Sequence, residues 1–163
     1  MKKASNRIDQ GRAIMLLGLF LALSFLIPHL TGILIENVII KSWANYGFLP
    51  SQTRQWWKNG IYSRSVAISW KAKGFDPVDA SSWRTMKIPP GEAKEWREGG
   101  FDLASAMEWR RYAFAPYKAT EWKKMGFSLG DAMAWRKQAF EPDEAAKWRS
   151  GGYSPMSAAE NRR

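Results

Sequence analysis

Apolar residues follow two patterns along the chain, one continuous and one periodic. From Ala13 to Ile27 every residue except Ser24 is apolar or glycine, and a largely apolar stretch continues to Ile35. Beyond residue 41, large apolar residues instead recur at regular intervals between polar ones. Continuous apolar runs of this length are typical of membrane spans, whereas regular recurrence is typical of repeat architectures. The sequence therefore predicts two different structural parts.

The continuous part is long enough to cross a membrane. As an α-helix, residues 13–35 would span about 35 Å, compared with about 30 Å for the hydrocarbon core of a bilayer. The start of the chain and the Ala22-x-Ser24 pattern also resemble a cleaved signal peptide. Because the apolar run continues well past that pattern, we expect an uncleaved, single-pass transmembrane helix.

The charges that flank this span predict its orientation. Four cations precede it, namely Lys2, Lys3, Arg7 and Arg12, whereas only Lys41 and Arg54 follow within a similar distance. Cytoplasmic flanks are richer in Lys and Arg. We therefore expect a cytoplasmic N-terminus and an extracytoplasmic remainder, which would be periplasmic in a bacterium.

Three residues of the span are candidate transmembrane contacts. Gly18 and Ala22 form a small-xxx-small pair, which can receive a neighbouring helix. His29 follows Pro28 near the far end of the span. This pair is either a proline kink with an imidazole near the interface, or an intramembrane contact or proton site.

The periodic part is defined by tryptophan. Successive members of the series are 13 residues apart, except for one step of 14 between Trp56 and Trp70, which implies an inserted residue near Ile61–Tyr62. Only Trp57 lies outside the series. The members are Trp43, Trp56, Trp70, Trp83, Trp96, Trp109, Trp122, Trp135 and Trp148. So strict a period predicts a repeat array with these tryptophans in its core.

Other residues recur with the tryptophan, and each suits one place in a short helix. With Trp at position 8, the repeat often has Ser or Asp at position 1, Pro at 2, an acid at 4, Ala at 5, Lys or Arg at 9, Gly at 12 and an aromatic residue at 13; residues 141–153 are the clearest copy. Positions 1, 2 and 4 are suited to a helix N-terminus. Glycine at position 12 ends a helix in a left-handed turn, which directs the ring at position 13 onto the tryptophan.

Each repeat is thus predicted to be one helix of roughly ten residues with a tight turn. Such a helix is marginal alone, so neighbouring repeats must stack into a solenoid-like, all-α array. At position 12, Lys87, Ala113 and Ala139 replace glycine; those turns are expected to be strained by about 1 kcal/mol or to take another geometry. The predicted organisation is a basic tail at 1–12, an anchor and juxtamembrane segment at 13–40, and the array at 41–163, with a polar capping repeat at 154–163.

Charge bears on the choice of partner. The net charge is +10, which favours acidic partners. The cations at position 9 either have a structural role at helix ends, pairing with acids such as Glu95, Glu108 or Glu121, or contact phosphate or carboxylate groups. We select as candidate partner contacts the irregular Trp57, expected to be exposed, and three basic pairs: Arg110 with Arg111, Lys123 with Lys124, and Arg136 with Lys137.

No catalytic constellation is present in the sequence. The chain has no cysteine, His29 is its one histidine, and there is no phosphate-binding loop or metal-spaced acidic cluster. We therefore expect neither an enzyme nor a cofactor or metal site. The favoured hypothesis is an accessory or scaffold subunit of a membrane-embedded protein complex. The alternative is a membrane-anchored binder of an anionic polymer or lipid head groups. Nucleic acid is disfavoured because an exported array would not meet it.

Overall fold

The structure is a computed structural model that describes Met15, Ile33 and residues 36–162, and its regular structure there is helical. Residues 36–44 form a first helical segment. It is followed by α1 (Pro50–Lys58), α2 (Arg64–Ala72), α3 (Pro77–Thr85), α4 (Pro90–Glu98), α5 (Leu103–Arg111), α6 (Pro116–Lys124), α7 (Leu129–Lys137), α8 (Pro142–Ser150) and α9 (Pro155–Asn161). The predicted array of short single-helix repeats is confirmed.

The predicted transmembrane helix lies outside the described residues, apart from Met15 and Ile33. The same holds for its candidate contacts Gly18, Ala22 and His29. In the part of the chain that the structure describes, no helix combines the length and apolarity needed to cross a membrane.

The chain divides into two compact units, Met1–Lys58 and Asn59–Arg163. The predicted boundaries at residues 12 and 40 are not tested by this division and stay predictions. The inserted residue is visible in the connection from α1 to α2, which has five residues, 59–63, where each later connection has four. The second unit contains α2 to α9.

Helix starts follow the predicted capping chemistry. The side chains of Asp76, Asp102, Ser128 and Ser154 each accept a hydrogen bond from a backbone N–H of the following turn, whereas Ser63 does not. Ser128 forms the full capping box with its position 4 acid. Hydrogen bonds from the hydroxyl and backbone N–H of Ser105 lower the pKa of the Asp102 carboxyl, because they stabilise its charged form.

Helix ends also have the predicted geometry. After α2, the Phe75 N–H donates to the Trp70 carbonyl and the Gly74 N–H donates to the Lys71 carbonyl, which is the Schellman pattern. The glycines at position 12 have φ from +74° to +83°. Lys87, Ala113 and Ala139 have φ of 57°, 57° and 60°, so the three non-glycine turns keep the left-handed geometry and bear its strain.

The core is a row of interleaved aromatic rings between buried alanines. In the second unit, the rings of Phe75, Phe101, Phe127 and Phe140 each lie 5.0–5.2 Å from the tryptophan of their own repeat and 5.7–6.5 Å from the next one. In the first unit, Phe48 has the same contacts with Trp43 and Trp56. All the periodic tryptophans are at most 6% exposed except Trp148, which is half-buried.

Helices of the second unit also pack against the helix two repeats on. The pair α4 and α6 contacts directly, and Gly99, at the end of α4, leaves no room for a Cβ beside the Thr120 hydroxyl. Packing in the second unit therefore includes a contact between alternate helices, which the 13-residue pattern does not predict.

Candidate interaction surfaces

The cations at position 9 bind the turn that lies two repeats earlier. Arg97 donates to the carbonyls of Lys73 at 2.8 Å and Gly74 at 3.0 Å, and its guanidinium lies 3.9 Å from the Phe75 ring centroid. A single side chain thus binds the exposed carbonyls of a helix end and covers the ring that follows them. Both interactions favour a cation, because the C-terminal ends of helices carry partial negative charge and aromatic faces are electron-rich.

The same arrangement recurs along the second unit. Arg136 lies 3.8 Å from the Phe114 ring and Arg149 lies 3.7 Å from the Phe127 ring, and each donates to the two preceding carbonyls. Contacts of the same kind are made by Lys123 with Gly100 and Phe101, by Arg162 with Ala139 and Phe140, and by Arg84 with the Gly60 carbonyl. These cations therefore connect each repeat to the one two repeats earlier, through hydrogen bonds and cation–π contacts.

The predicted acidic partners of this ladder were wrong. Glu95, Glu108 and Glu121 form no ion pair with a position 9 cation in residues 36–162. The pairs that form are Arg110 with Glu92 at 3.0 Å and Arg162 with Glu144 at 3.2 Å, both across 18 residues. The physical reason is that the cation extends back toward the earlier repeat, so it meets position 4 of the preceding helix and not position 7.

The basic excess of the array is accounted for by these structural cations. Of 25 Lys and Arg, four precede residue 41, which leaves 21; of 15 acids, Asp9 and Glu36 precede it, which leaves 13. Eight of the 21 cations are at position 9, from Lys71 to Arg162. The other 13 cations balance the 13 acids. The net charge of +8 therefore does not by itself require an acidic partner.

The six basic candidate contacts separate into two groups. Arg110, Lys123 and Arg136 are the position 9 members and make the internal contacts described above. Arg111, Lys124 and Lys137 are exposed, and within residues 36–162 no hydrogen bond or ion pair involves their side chains. Arg111 and Lys137 occupy equivalent places in the alternate helices α5 and α7, whereas Lys124 belongs to α6 between them.

Trp57 is half-buried, so it is less exposed than expected, and its role as a partner contact stays a prediction. In the first unit it lines a small cavity of about 100 Å³ with Glu36, Ile40, Thr53 and Arg54. Arg54 and Glu36 form an ion pair of 2.8 Å at this cavity. The helical segment 36–44 contributes Glu36 and Ile40 to the lining of this cavity, and the repeat pattern does not predict either neighbour.

A groove of the second unit lies between α6 and the start of α8, with a volume of about 480 Å³. At its edge the Lys118 ammonium contacts Glu121 at 3.0 Å and Glu141 at 2.9 Å. These hydrogen bonds raise the pKa of Lys118. The remaining lining residues carry both signs of charge or are apolar. Among the described residues, no cluster of His, Asp and Glu is arranged to hold a metal ion.

Replacing Arg149 with glutamine is expected to lower the free energy of unfolding by about 1–2 kcal/mol, since it removes two charge-assisted hydrogen bonds and a cation–π contact at an exposed site. The matched control is Lys147→Gln, which makes the same charge change on an exposed side chain of the same helix. It should shift stability by less than about 0.5 kcal/mol. Urea unfolding of the full chain in detergent, followed by tryptophan fluorescence, measures both. Equal losses would refute the stabilising role of the position 9 cations.

The chain matches no known protein-family model, curated protein or solved structure.

Proposed function

We propose that the protein is an accessory or scaffold subunit of a membrane-embedded protein complex. Residues 13–35 would form its single transmembrane helix, with the N-terminus in the cytoplasm and the array on the extracytoplasmic side. The array would bind other protein subunits. One observation carries the proposal. The recurring cations and aromatic rings make contacts within the fold, while exposed Tyr, Met and Val side chains are available to a partner.

Those exposed side chains suit a protein partner. Val78, Tyr117 and Met156 are 61–69% exposed, and Met86, Tyr112 and Met125 are about 40% exposed. They lie among charged residues of both signs. Protein interfaces typically combine Tyr and Met with a mixed polar rim. An array of stacked helices presents such residues over an extended surface, which is the usual role of repeat proteins.

The short distance from the anchor to the array supports a fixed place in a complex. Trp43, the first tryptophan of the series, follows residue 35 by only eight positions. Binding of the anchor in the bilayer would hold the array at high effective concentration near its partner subunits. Both parts are therefore expected to contribute to association.

The alternative function, binding of an anionic polymer or lipid head groups, is favoured by one observation. Arg111, Lys124 and Lys137 are exposed and make no ion pair or hydrogen bond within residues 36–162. A polyanion would have to use exposed cations such as these three, because the position 9 cations with contacts described above are already engaged.

The test is to replace Arg111, Lys124 and Lys137 together with glutamine and to purify the full chain in mild detergent. We expect the variant to remain folded and to keep its co-purifying proteins with modest loss, also at raised salt concentration, because a packed interface depends weakly on ionic strength. Exchanging residues 13–35 for an unrelated membrane span should weaken co-purification while leaving the array folded.

The opposite pattern would favour the alternative. If the triple variant loses its protein partners together with binding to vesicles containing phosphatidylserine, and the wild type loses both at raised salt, electrostatic binding to a polyanion replaces the scaffold hypothesis. The variant Lys147→Gln serves as a charge control in both assays, since Lys147 is exposed on the neighbouring helix α8.

A further inference from the structure

One side of α5 carries a methionine and a cation one helical turn apart. Met107 and Arg111 line the same open groove, of about 420 Å³, together with Glu108 and Arg110. Residues four apart in a helix lie on the same side of it. Met107 is half-buried and Arg111 is exposed, so the groove combines an apolar side chain with a charged one at its edge.

The same pair recurs on α7, two repeats further along the chain. Met133 is half-buried and Lys137 is exposed, again four residues apart. The intervening helix α6 has Thr120 where these helices have methionine, and its cation Lys124 lines the separate groove between α6 and α8. The pair of methionine and cation is therefore shared by α5 and α7 and not by the helix between them.

The C-terminal ends of α5 and α7 lie close together. Arg136 of α7 donates to the carbonyls of Tyr112 and Ala113, in the turn after α5. The two helix ends are therefore within reach of one arginine side chain. Arg111 and Lys137 stand at these ends, in equivalent positions of the repeat, so they extend from the same side of the array.

These two cations lack a counter-charge within the described part of the fold. The side chains of Arg111 and Lys137 form no hydrogen bond or ion pair within residues 36–162. In the α5 groove, Arg110 is already paired with Glu92 at 3.0 Å. The remaining charges, those of Arg111, Lys137 and Glu108, sum to a positive value. An acidic ligand complements this surface.

We infer that the Met–cation face, formed by Met107, Arg111, Met133 and Lys137, binds an acidic amphipathic helix of a partner protein. A helix with an apolar residue and a carboxylate four positions apart presents them about 6 Å apart along its axis, which is the spacing of methionine and cation on α5 and α7. Methionine adapts its shape to an apolar partner. A polymer of anionic groups would pair with the cations but leave the methionines in water. This partner chemistry deepens the proposed role as a protein-binding array, on which it rests.

The probe for the test is a lactam-stapled helical peptide of about 14 residues, or four turns, with leucine and glutamate four positions apart on one face. A second peptide has glutamine in place of each glutamate. The full chain in detergent, labelled with ¹³C at the methionine methyl groups, reports where each peptide binds. We expect shifts of the Met107 and Met133 resonances. The glutamine peptide should bind about fivefold more weakly, which corresponds to about 1 kcal/mol for two exposed ion pairs.

Variants of the full chain then test the two cations. Replacing Arg111 and Lys137 together with glutamine should remove the preference for the glutamate peptide and leave the affinity for the glutamine peptide unchanged. Both side chains are exposed, so the variant should remain folded, which circular dichroism checks. Lys124→Gln is the matched control, because it makes the same charge change at the same repeat position of α6. It should keep the fivefold preference.

Equal affinities of the two peptides, no binding of either, or shifts confined to Met125, which lines the other groove, would overturn the inference. Binding of phosphatidylserine vesicles that depends on Arg111 and Lys137, without peptide binding, would also overturn it and assign the face to lipid. Co-purification of protein subunits without peptide binding would reject the Met–cation face alone. Peptide binding at Met107 and Met133 without any co-purifying protein would reject the scaffold role alone.

Discussion

Replacing Trp122 with alanine is expected to lower the free energy of unfolding by about 3–5 kcal/mol, the cost of deleting a buried aromatic side chain and leaving a cavity. Trp122 is 2% exposed in α6, and its ring lies 5.0 Å from that of Phe127. The loss includes both the apolar surface returned to water and the edge-to-face ring contact. Short helices on either side depend on this ring because each is marginal alone.

Trp148→Ala is the matched control for this experiment. It removes the same side chain from the same repeat position, and it also removes a ring contact of 4.9 Å with Tyr153. Because Trp148 is half-buried, the expected loss is less than half of that for Trp122→Ala. Chemical denaturation of the full chain in detergent, followed by far-UV circular dichroism, compares the two. Similar losses would mean that the interleaved rings are not the main source of stability.

Local features of the repeat were predictable from sequence because they join residues close together in the chain. The cap of Ser128, the left-handed turn at Gly126 and the contact of Phe127 with Trp122 each lie within five residues. Residue preferences at helix ends have direct physical causes, such as an unsatisfied N–H or a positive φ. A strict period then extended each conclusion to every repeat.

The pairing of alternate helices and the partners of the position 9 cations were not predictable in this way. Arg149 bonds to the carbonyls of Met125 and Gly126, 24 and 23 residues earlier. Every residue has a backbone carbonyl, so a carbonyl acceptor cannot be identified from the residue types in a sequence. A carboxylate acceptor can, because only Asp and Glu side chains supply it. This is why acids were expected as partners. The cavity beside Trp57 is likewise lined by Ile40, which precedes the repeats.

Net charge was an incomplete guide to function for the same reason. A cation bound to helix-end carbonyls is opposed by partial charges that do not count toward the formal charge. Arg136, which binds the carbonyls of Tyr112 and Ala113, adds a full positive charge to the total, although its site is electrostatically satisfied. In a repeat protein whose turns each bind a cation in this way, the net positive charge increases with the number of repeats. This increase is independent of what the protein binds.

Packing of alternate helices leads to a second large expected effect, at Gly99. A Cβ at this residue would lie 2.1 Å from the Thr120 hydroxyl oxygen of α6, far inside contact distance. The backbone φ of Gly99 is −74°, which suits any residue, so a substitution there tests packing and not backbone strain. Gly99→Ala should therefore destabilise the protein by about 1–3 kcal/mol, the usual cost of overpacking.

A double-mutant cycle attributes that loss to the contact between α4 and α6. Removing the hydroxyl and methyl group with Thr120→Ala makes room for the new Cβ, so the double variant should recover most of the stability lost in Gly99→Ala. Gly151→Ala is the matched control, because Gly151 stands at the same repeat position with a φ of −80° and its added Cβ would approach other atoms no closer than 3.3 Å. It should change stability by less than about 0.5 kcal/mol. If the effects of Gly99→Ala and Thr120→Ala are simply additive, the two side chains do not meet, and the proposed packing of α4 against α6 is wrong.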